Sequence, residues 1–310
     1  MSGPARGLYH HYMSAEGGDW RDEPFQDEEE ALRGLRQEHA RGARLLIGTS
    51  GWSYKDWEGP FYPPGTPAAD YLAHYGRVFH TVEVDATFYA APRAMVVENW
   101  ALRSPPGFVF SAKFPREFTH ETGGLERLET ARAFVERMGL LGEKRGPLVL
   151  QFPPHFDPTR LAALARFLEA LPGEARYAVE FRHPGWHCEE ALALLRERGV
   201  AWVAGVGPLN PPQRPLTADF AYLRWIGDRS LNVFDRVRVE RGEEIRRWAE
   251  WIESVRERLH EVYGYFNNHY AGHGPASARE LLQALGEPAP ASSGREGPPP
   301  AKADQGDLFG

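Results

Sequence analysis

Several short segments of this chain alternate apolar and polar side chains, and the polar set is rich in groups that transfer protons or bind anions. Residues 177–186 read YAVEFRHPGW, and alternation places Glu180 and Arg182 on the face opposite the apolar Val179. A glutamate buried without a partner costs several kcal/mol, so an ordinary apolar sheet face does not suit this strand. A closed barrel suits it, because charges from several strands can meet at one mouth, with His183 just beyond.

The same alternation recurs along the chain. TVEVDATFY at residues 81–89 carries Glu83 and Asp85 on one face, and FVFSAKFP at residues 108–115 carries Lys113. Carboxylates, lysine, arginine and amides at one mouth can supply acid–base catalysis and an anion clamp. The predicted catalytic residues are Glu83, Glu180, Lys113 and His183. The predicted substrate-binding residues at these strand ends are Asp85, Gln151, Arg182, Trp186, Arg224, Asn267 and Asn268.

Two other interpretations of these charges stay open. The charges could neutralise one another as an interior network without chemistry. Alternatively, Glu83, Asp85, Glu180 and His183 could hold Mg²⁺, Mn²⁺ or Zn²⁺. A divalent metal is possible but not favoured, because the chain has no HExxH motif and its lysine and arginines would compete for the carboxylates.

A long loop, GWSYKDWEGPFYPPG at residues 51–65, carries five aromatic side chains. It could pack on itself at the surface, or it could form an aromatic wall that stacks sugars or bases over a pocket. The second interpretation adds Trp52 and Tyr54 to the predicted substrate-binding residues.

The elements that would position these groups form an alternating series of eight strands and intervening helices. The predicted strands span residues 45–50, 81–89, 108–115, 147–154, 177–182, 201–206, 220–225 and 261–268. Alternation over a length near 250 residues is typical of an α/β protein with a TIM (β/α)8 barrel. Four prolines in residues 207–219 predict that the helix between strands six and seven is missing or reduced. A doubly wound sheet is the alternative, but no GxGxxG follows the first strand.

Composition bounds the remaining possibilities. Residues 1–43 carry nine acidic and five basic side chains, and residues 287–310 carry four and two, so 30 acidic and 29 basic ones remain for residues 44–286. A near-neutral body lacks the bulk basic surface of a duplex-binding protein. The single cysteine and the absence of a long apolar run predict a cytoplasmic protein without a membrane partner. We therefore predict a polar N-terminal extension (1–43), a barrel (44–286) and a disordered tail (287–310).

Seven motifs, in order, resemble those of the YecE-like family, which is also called domain of unknown function 72. They are IGTSGWSYKDWEG, VEVDATFY, FSAKFP, GPLVLQFPP, YAVEFRHPGW, YLRW and YGYFNNHYAGHGPASARELLQ. The resemblance covers residues 44–286 and implies a TIM barrel without implying an activity. One departure is the pair Asp85-Ala86, where the family pattern leads us to expect Asn-Ser. That departure favours Glu83 and Glu180 over Asp85 as essential carboxylates.

The far end of the chain carries a second resemblance. Residues 305–309, QGDLF, resemble the pentapeptide by which bacterial proteins dock on the DNA sliding clamp. Leu308 and Phe309 would enter an apolar groove, and Gln305 would fix the register.

The sequence thus favours one function and leaves a second open. The first is a hydrolase, of phosphoesters or glycosides, that acts on a phosphorylated or nucleic-acid-derived substrate. The second is a non-catalytic module that binds a small anionic ligand and is tethered to the sliding clamp by its tail.

Overall fold

Eight parallel strands close into one barrel in the computed structural model, which describes residues 42–288 except 211, 212 and 228. Consecutive strands pair along the chain, and the eighth strand returns to the first. The strands are β1 Arg44–Ser50, β2 Thr81–Val84, β3 Val109–Lys113, β4 Arg145–Gln151, β5 Tyr177–Glu180, β6 Ala201–Val206, β7 Phe220–Trp225 and β8 Glu261–Phe266. This arrangement confirms the predicted TIM barrel.

Helices surround the barrel and connect its strands. They are α1 Tyr71–Gly76, α2 Ala94–Arg103, α3 Arg116–Thr119, α4 Leu128–Gly139, α5 Leu161–Ala170, α6 Glu189–Glu197, α7 Gly242–Val255 and α8 Gly274–Ala284. None of the helices in the described part of the chain is both long enough and apolar enough to cross a bilayer.

Two faces of each strand have different environments, as the alternation predicts. Side chains such as Val82, Val179 and Leu223 point outward and join the main core between barrel and helices. A second, smaller cluster fills the barrel interior, and its members are Leu46, Val109, Val149, Ala178, Ala201, Val203, Phe220, Tyr222, Tyr263 and Tyr265. A one-residue shift in register would exchange these two sets, so the apolar outer face fixes which polar groups point inward.

Polarity inside the barrel increases towards the carboxyl ends of the strands. The Tyr265 hydroxyl lies in a middle layer, 2.8 Å from both the Thr81 and the Ser111 hydroxyl oxygens. Above this layer, the inward residues of β2, β5 and β7 are Glu83, Glu180 and Arg224, all fully buried. The carboxyl end is the face at which active sites of this fold lie.

Several element bounds differ from the predicted ones. The predicted strand over residues 81–89 ends at Val84, and a 3-10 turn covers Ala86–Phe88. Thr87 explains this turn, because its hydroxyl donates to the backbone oxygens of Val84 and Lys113, both at 2.8 Å. Between β1 and β2 the chain forms a 3-10 turn, Ala68–Asp70, that leads directly into α1.

Two long connections lie at the carboxyl ends of β6 and β7. Within the described residues of 207–219 there is no helix, which confirms the expectation drawn from the prolines. The connection after β7 folds back over the mouth, where the Phe234 backbone N–H donates to Asp56 at 2.9 Å and the Arg238 backbone N–H donates to Ala271 at 2.7 Å.

Gly48 on β1 is required by the close approach of β2, and its replacement is a test of the barrel packing. A Cβ atom there would collide with the Thr81 carbonyl oxygen and lie 2.8 Å from the Tyr75 hydroxyl. We expect Gly48→Ala to lower the free energy of unfolding by about 1–3 kcal/mol, the range for overpacking. Denaturant unfolding followed by tryptophan fluorescence measures the change. Gly173→Ala is the control, because nothing lies within 4 Å of its added Cβ. Equal stability of the two variants would contradict this packing.

Candidate functional site

Arg224, on β7, is the centre of the charged layer. Its Nη1 donates to the Glu180 carboxylate in a short contact and to Gln151 Oε1 at 3.2 Å. Its Nε and Nη2 both reach Glu83 Oε1, at 3.1 and 2.9 Å. One guanidinium therefore joins carboxylates from β2 and β5, and its planar fork of donors suits this arrangement.

Glu83 has its acceptor capacity filled by the protein. Besides Arg224, the Ser50 hydroxyl donates to its Oε1 at 3.0 Å and the Tyr222 hydroxyl donates to its Oε2 at 2.8 Å. A carboxylate offers about four lone-pair positions, so little capacity remains for a substrate proton. Glu180 is different, since among the described residues only Arg224 and Arg182 donate to its carboxylate, Arg182 through Nε at 3.0 Å. Glu180 therefore keeps free lone pairs.

The outer edge of the network consists of Lys113, Asp85, Gln151 and Arg182, of which Lys113 and Gln151 are buried. Lys113 Nζ lies 2.7 Å from Asp85 Oδ1 and donates to Gln151 Oε1 at 3.3 Å. The side chains of Asp85 and Arg182 are 27% and 15% exposed, whereas those of Glu83 and Glu180 are 0% exposed. A ligand at the mouth would thus meet Asp85 and Arg182 first, with Lys113 directly behind Asp85.

Proton affinities follow from burial and from neighbouring charges. Burial raises the pKa of Glu83, although Arg224 opposes the change. Burial also acts against ionisation of Glu180, but Arg224, Arg182 and Lys113 outweigh it and lower the pKa to about 2. Lys113 and Arg224 likewise outweigh burial at Asp85 and lower its pKa. Glu180 and Asp85 are therefore ionised at neutral pH.

Among the residues considered as metal ligands, Glu83, Asp85 and Glu180 each contact a cationic side chain. Within the described residues, no group of three or more His, Cys, Asp and Glu side chains is arranged to hold a metal ion. The His183 ring accepts from the Gly185 backbone N–H at 3.1 Å, at the start of a 3-10 turn outside the charged network.

Some predicted binding residues lie away from this layer. Trp186 is fully buried in the core, its ring stacked on Phe156 and Phe181 at centroid distances of 5.2 and 4.3 Å. Asn268 accepts from Trp57 Nε1 at 3.2 Å and from the Gly274 backbone N–H at 2.9 Å, so it ties the loop after β1 to α8.

Asn267 also makes a local contact, because its side chain accepts from the His269 backbone N–H at 3.1 Å.

The aromatic loop after β1 divides into two parts. Trp57, Phe61 and Tyr62 are buried in the core, which supports a self-packed loop for that part. Trp52 packs edge-on against Trp100 and Phe110, at centroid distances of 5.8 and 6.3 Å, on the outer side of the barrel.

Tyr54, by contrast, lies beside the charged layer. Its hydroxyl donates to the Ser50 backbone oxygen at 2.9 Å, and burial, followed by the negative charges of Asp85 and Glu83, raises its pKa. Tyr54 also packs edge-on against Phe234 from the connection after β7, at 6.2 Å between centroids.

Sequence reasoning missed Ser50, Tyr222 and His120 as members of the site. The period of two along β1 and β7 could have identified Ser50 and Tyr222, since they share the inward face with Gly48 and Arg224. His120 lies in a loop after α3, 5.1 Å from Phe88 between ring centroids, and no strand pattern marks it.

Comparisons with known proteins agree on one family. A family model described as "Protein of unknown function DUF72" matches residues 46–303. The UPF0759 protein YecE of Escherichia coli K12 is 35% identical over 161 residues, which is 50% of this chain and 57% of YecE. The UPF0759 protein YunF of Bacillus subtilis is 25% identical and aligns with 78% of this chain and 94% of its own length.

Solved structures give the same result. A DUF72 family protein from Thermotoga maritima superimposes with a TM-score of 0.67 and 29% identity, covering 79% of this chain and all of that one. A DUF72 family protein from Enterococcus faecalis has a TM-score of 0.65 at 20% identity, which shows the shared fold.

The lowered pKa of Glu180 makes its contribution to stability depend on pH. A carboxylate with a folded pKa near 2 and an unfolded pKa near 4.5 stabilises the fold above pH 4.5, and this stabilisation is lost as the pH falls towards 2. Glu180→Gln should therefore cost roughly 3 kcal/mol at pH 7, with the loss shrinking to about half by pH 3. Urea unfolding curves at both pH values measure it.

Glu129→Gln provides the matched control, because the Glu129 side chain is 88% exposed. It should cost less than about 0.5 kcal/mol at either pH. A Glu180→Gln loss that is the same at pH 7 and pH 3 would show that the carboxylate charge is not what Arg224 and Arg182 stabilise.

Proposed function

The chain belongs to the DUF72 family, whose description names no activity, and we propose that it is a hydrolase acting on a small anionic substrate at the carboxyl mouth of its barrel. The observation that carries this proposal is the fully buried Glu83–Arg224–Glu180 group. Burying a guanidinium and two carboxyl groups costs desolvation energy that well-packed apolar residues would avoid. The interior of a TIM barrel usually consists of branched apolar side chains, so charges in its top layer favour a catalytic role.

The contacts assign different roles to the charged residues. Glu180 is ionised and has free lone pairs, so it can accept a proton from an attacking water. Lys113, held by Asp85, can bind an anionic oxygen or protonate a leaving group. Glu83 has no free acceptor capacity, and its role is to position Arg224. Glu83, which the sequence analysis predicts to be catalytic, is therefore a supporting residue in this proposal.

A non-catalytic anion-binding role is the second candidate, and one observation favours it. The three carboxylates are matched by three cations, namely Lys113, Arg182 and Arg224, in direct contact with them. Such a network can hold an anionic ligand through Lys113 and Arg182 without any bond being broken. Retention of a ligand without turnover would support this role.

Turnover by a Glu180 variant tests the hydrolase. The purified protein is incubated with p-nitrophenyl phosphate, bis-p-nitrophenyl phosphate and p-nitrophenyl glycosides, and release of p-nitrophenol is followed by absorbance. We expect Glu180→Gln to lower the rate on the accepted compound by about 10²–10⁴-fold, because a general base is lost. Glu129→Gln should keep the wild-type rate. Full activity of a folded Glu180→Gln protein would reject the assigned base.

The tail peptide supports a tether to the sliding clamp as a separate proposal. Gln305, Leu308 and Phe309 lie outside the described residues, so the proposal depends on the QGDLF sequence alone. We expect the full chain to be retained on immobilised bacterial sliding clamp, and the double variant Leu308→Ala, Phe309→Ala to be lost from it. The matched control is Leu102→Ala, which changes an exposed leucine on α2. Equal retention of all three proteins would end the idea of a tether.

A further inference from the structure

A cavity lies beside the carboxyl mouth, between the connections that follow β3 and β4. Its volume is about 310 Å³, at the lower end of the range for small-molecule sites. Its floor is apolar and consists of Phe118, Leu125 and Phe156. Its rim is polar and includes His120, His155 and Arg160. An apolar floor under polar groups suits the ring of a sugar together with a charged substituent.

Both carboxylates at the cavity accept hydrogen bonds from neighbouring groups, whereas two of its basic side chains form none with any described residue. Glu121 pairs with Arg127 at 3.0 Å, and Asp157 accepts from the backbone N–H of Thr159 at 2.9 Å. Within the described residues, the side chains of His155 and Arg160 form no hydrogen bond, and the charge of Arg160 acts on the nearby Asp157. A ligand entering the cavity would therefore meet unpaired donors.

His120 connects the cavity to the mouth. Its ring lies 5.1 Å from the Phe88 centroid, and Lys113 Nζ lies 5.6 Å from the same centroid on the mouth side. Burial, and then the positive charges of Arg182 and Arg116, lower the pKa of His120 to about 4. The imidazole is thus neutral at pH 7 in positive surroundings, and it can donate a hydrogen bond to an anion.

We propose that this cavity is a second subsite of the mouth and binds the phosphate group of a phosphorylated glycoside. The inference rests on the proposed hydrolase and narrows its substrate, because the phosphate and the cleaved bond occupy different places. In the reaction, the water oxygen bonds to the sugar carbon as the glycosidic C–O bond breaks. Glu180 takes a proton from that water, and Lys113 gives a proton to the leaving oxygen.

Binding of inorganic phosphate tests the subsite without any turnover. Isothermal titration calorimetry of the full chain at pH 7 should give a dissociation constant for phosphate below about 10 mM. The double variant His155→Gln, Arg160→Gln should weaken phosphate binding at least about tenfold, because two unpaired donors are lost. Both side chains are exposed, so the fold should be kept. Arg247→Gln, on the exposed surface of α7, should bind phosphate as the wild type does.

The variant Lys113→Met distinguishes a failure of this phosphate subsite from a failure of the proposed hydrolase. If the cavity binds the phosphate, that variant keeps phosphate binding within about threefold although turnover is lost. Unchanged affinity in the double variant, or no binding by the wild type, overturns the subsite and leaves the hydrolase standing. Phosphate bound only through Lys113 overturns it as well, because the anion would then lie at the mouth.

Discussion

The carboxyl mouth of this barrel depends on one electrostatic requirement, that the fully buried guanidinium of Arg224 has carboxylates on two sides. Removing either Glu83 or Glu180 would leave the buried guanidinium with its charge only partly compensated, which is more costly than never burying the group. Each carboxylate comes from a different strand, so strands β2, β5 and β7 must all keep their register for the group to exist. The charged layer thereby makes the upper barrel intolerant of slippage.

A layer of hydroxyl groups supports the charges from below. The Tyr222 hydroxyl donates to Glu83, and the Tyr265 hydroxyl lies between those of Thr81 and Ser111. These hydroxyls satisfy polar groups at a depth where water is excluded, and below them the barrel is filled with Leu46, Val149 and similar side chains. The interior therefore changes from apolar to hydroxyl-bearing to ionic along the barrel axis.

The charged residues differ in how far they lie from solvent. Glu83 and Glu180 lie deep, whereas Lys113, Asp85 and Arg182 lie at the edge. The connections after β2 and β3 bring Phe88 and His120 to the same rim, beside the cavity on the β3–β4 side. A fully buried ionic group, a more exposed edge and an adjoining cavity thus lie side by side at the carboxyl mouth.

The sequence by itself determined the barrel and the strands that carry its charges, because alternation with period two is a local property. Glu83, Lys113, Gln151, Glu180 and Arg224 follow from that period, since an apolar outer face leaves the polar residues only the inside. Tertiary structure alone decided which lone pairs of Glu83 and Glu180 accept hydrogen bonds from the protein. It also decided which of the predicted aromatic residues pack in the core and not at the mouth. Trp186 and Asn268 pack into distant neighbours, and His120 reaches the rim through a loop. Those outcomes depend on contacts between segments far apart in the chain, which no local pattern encodes.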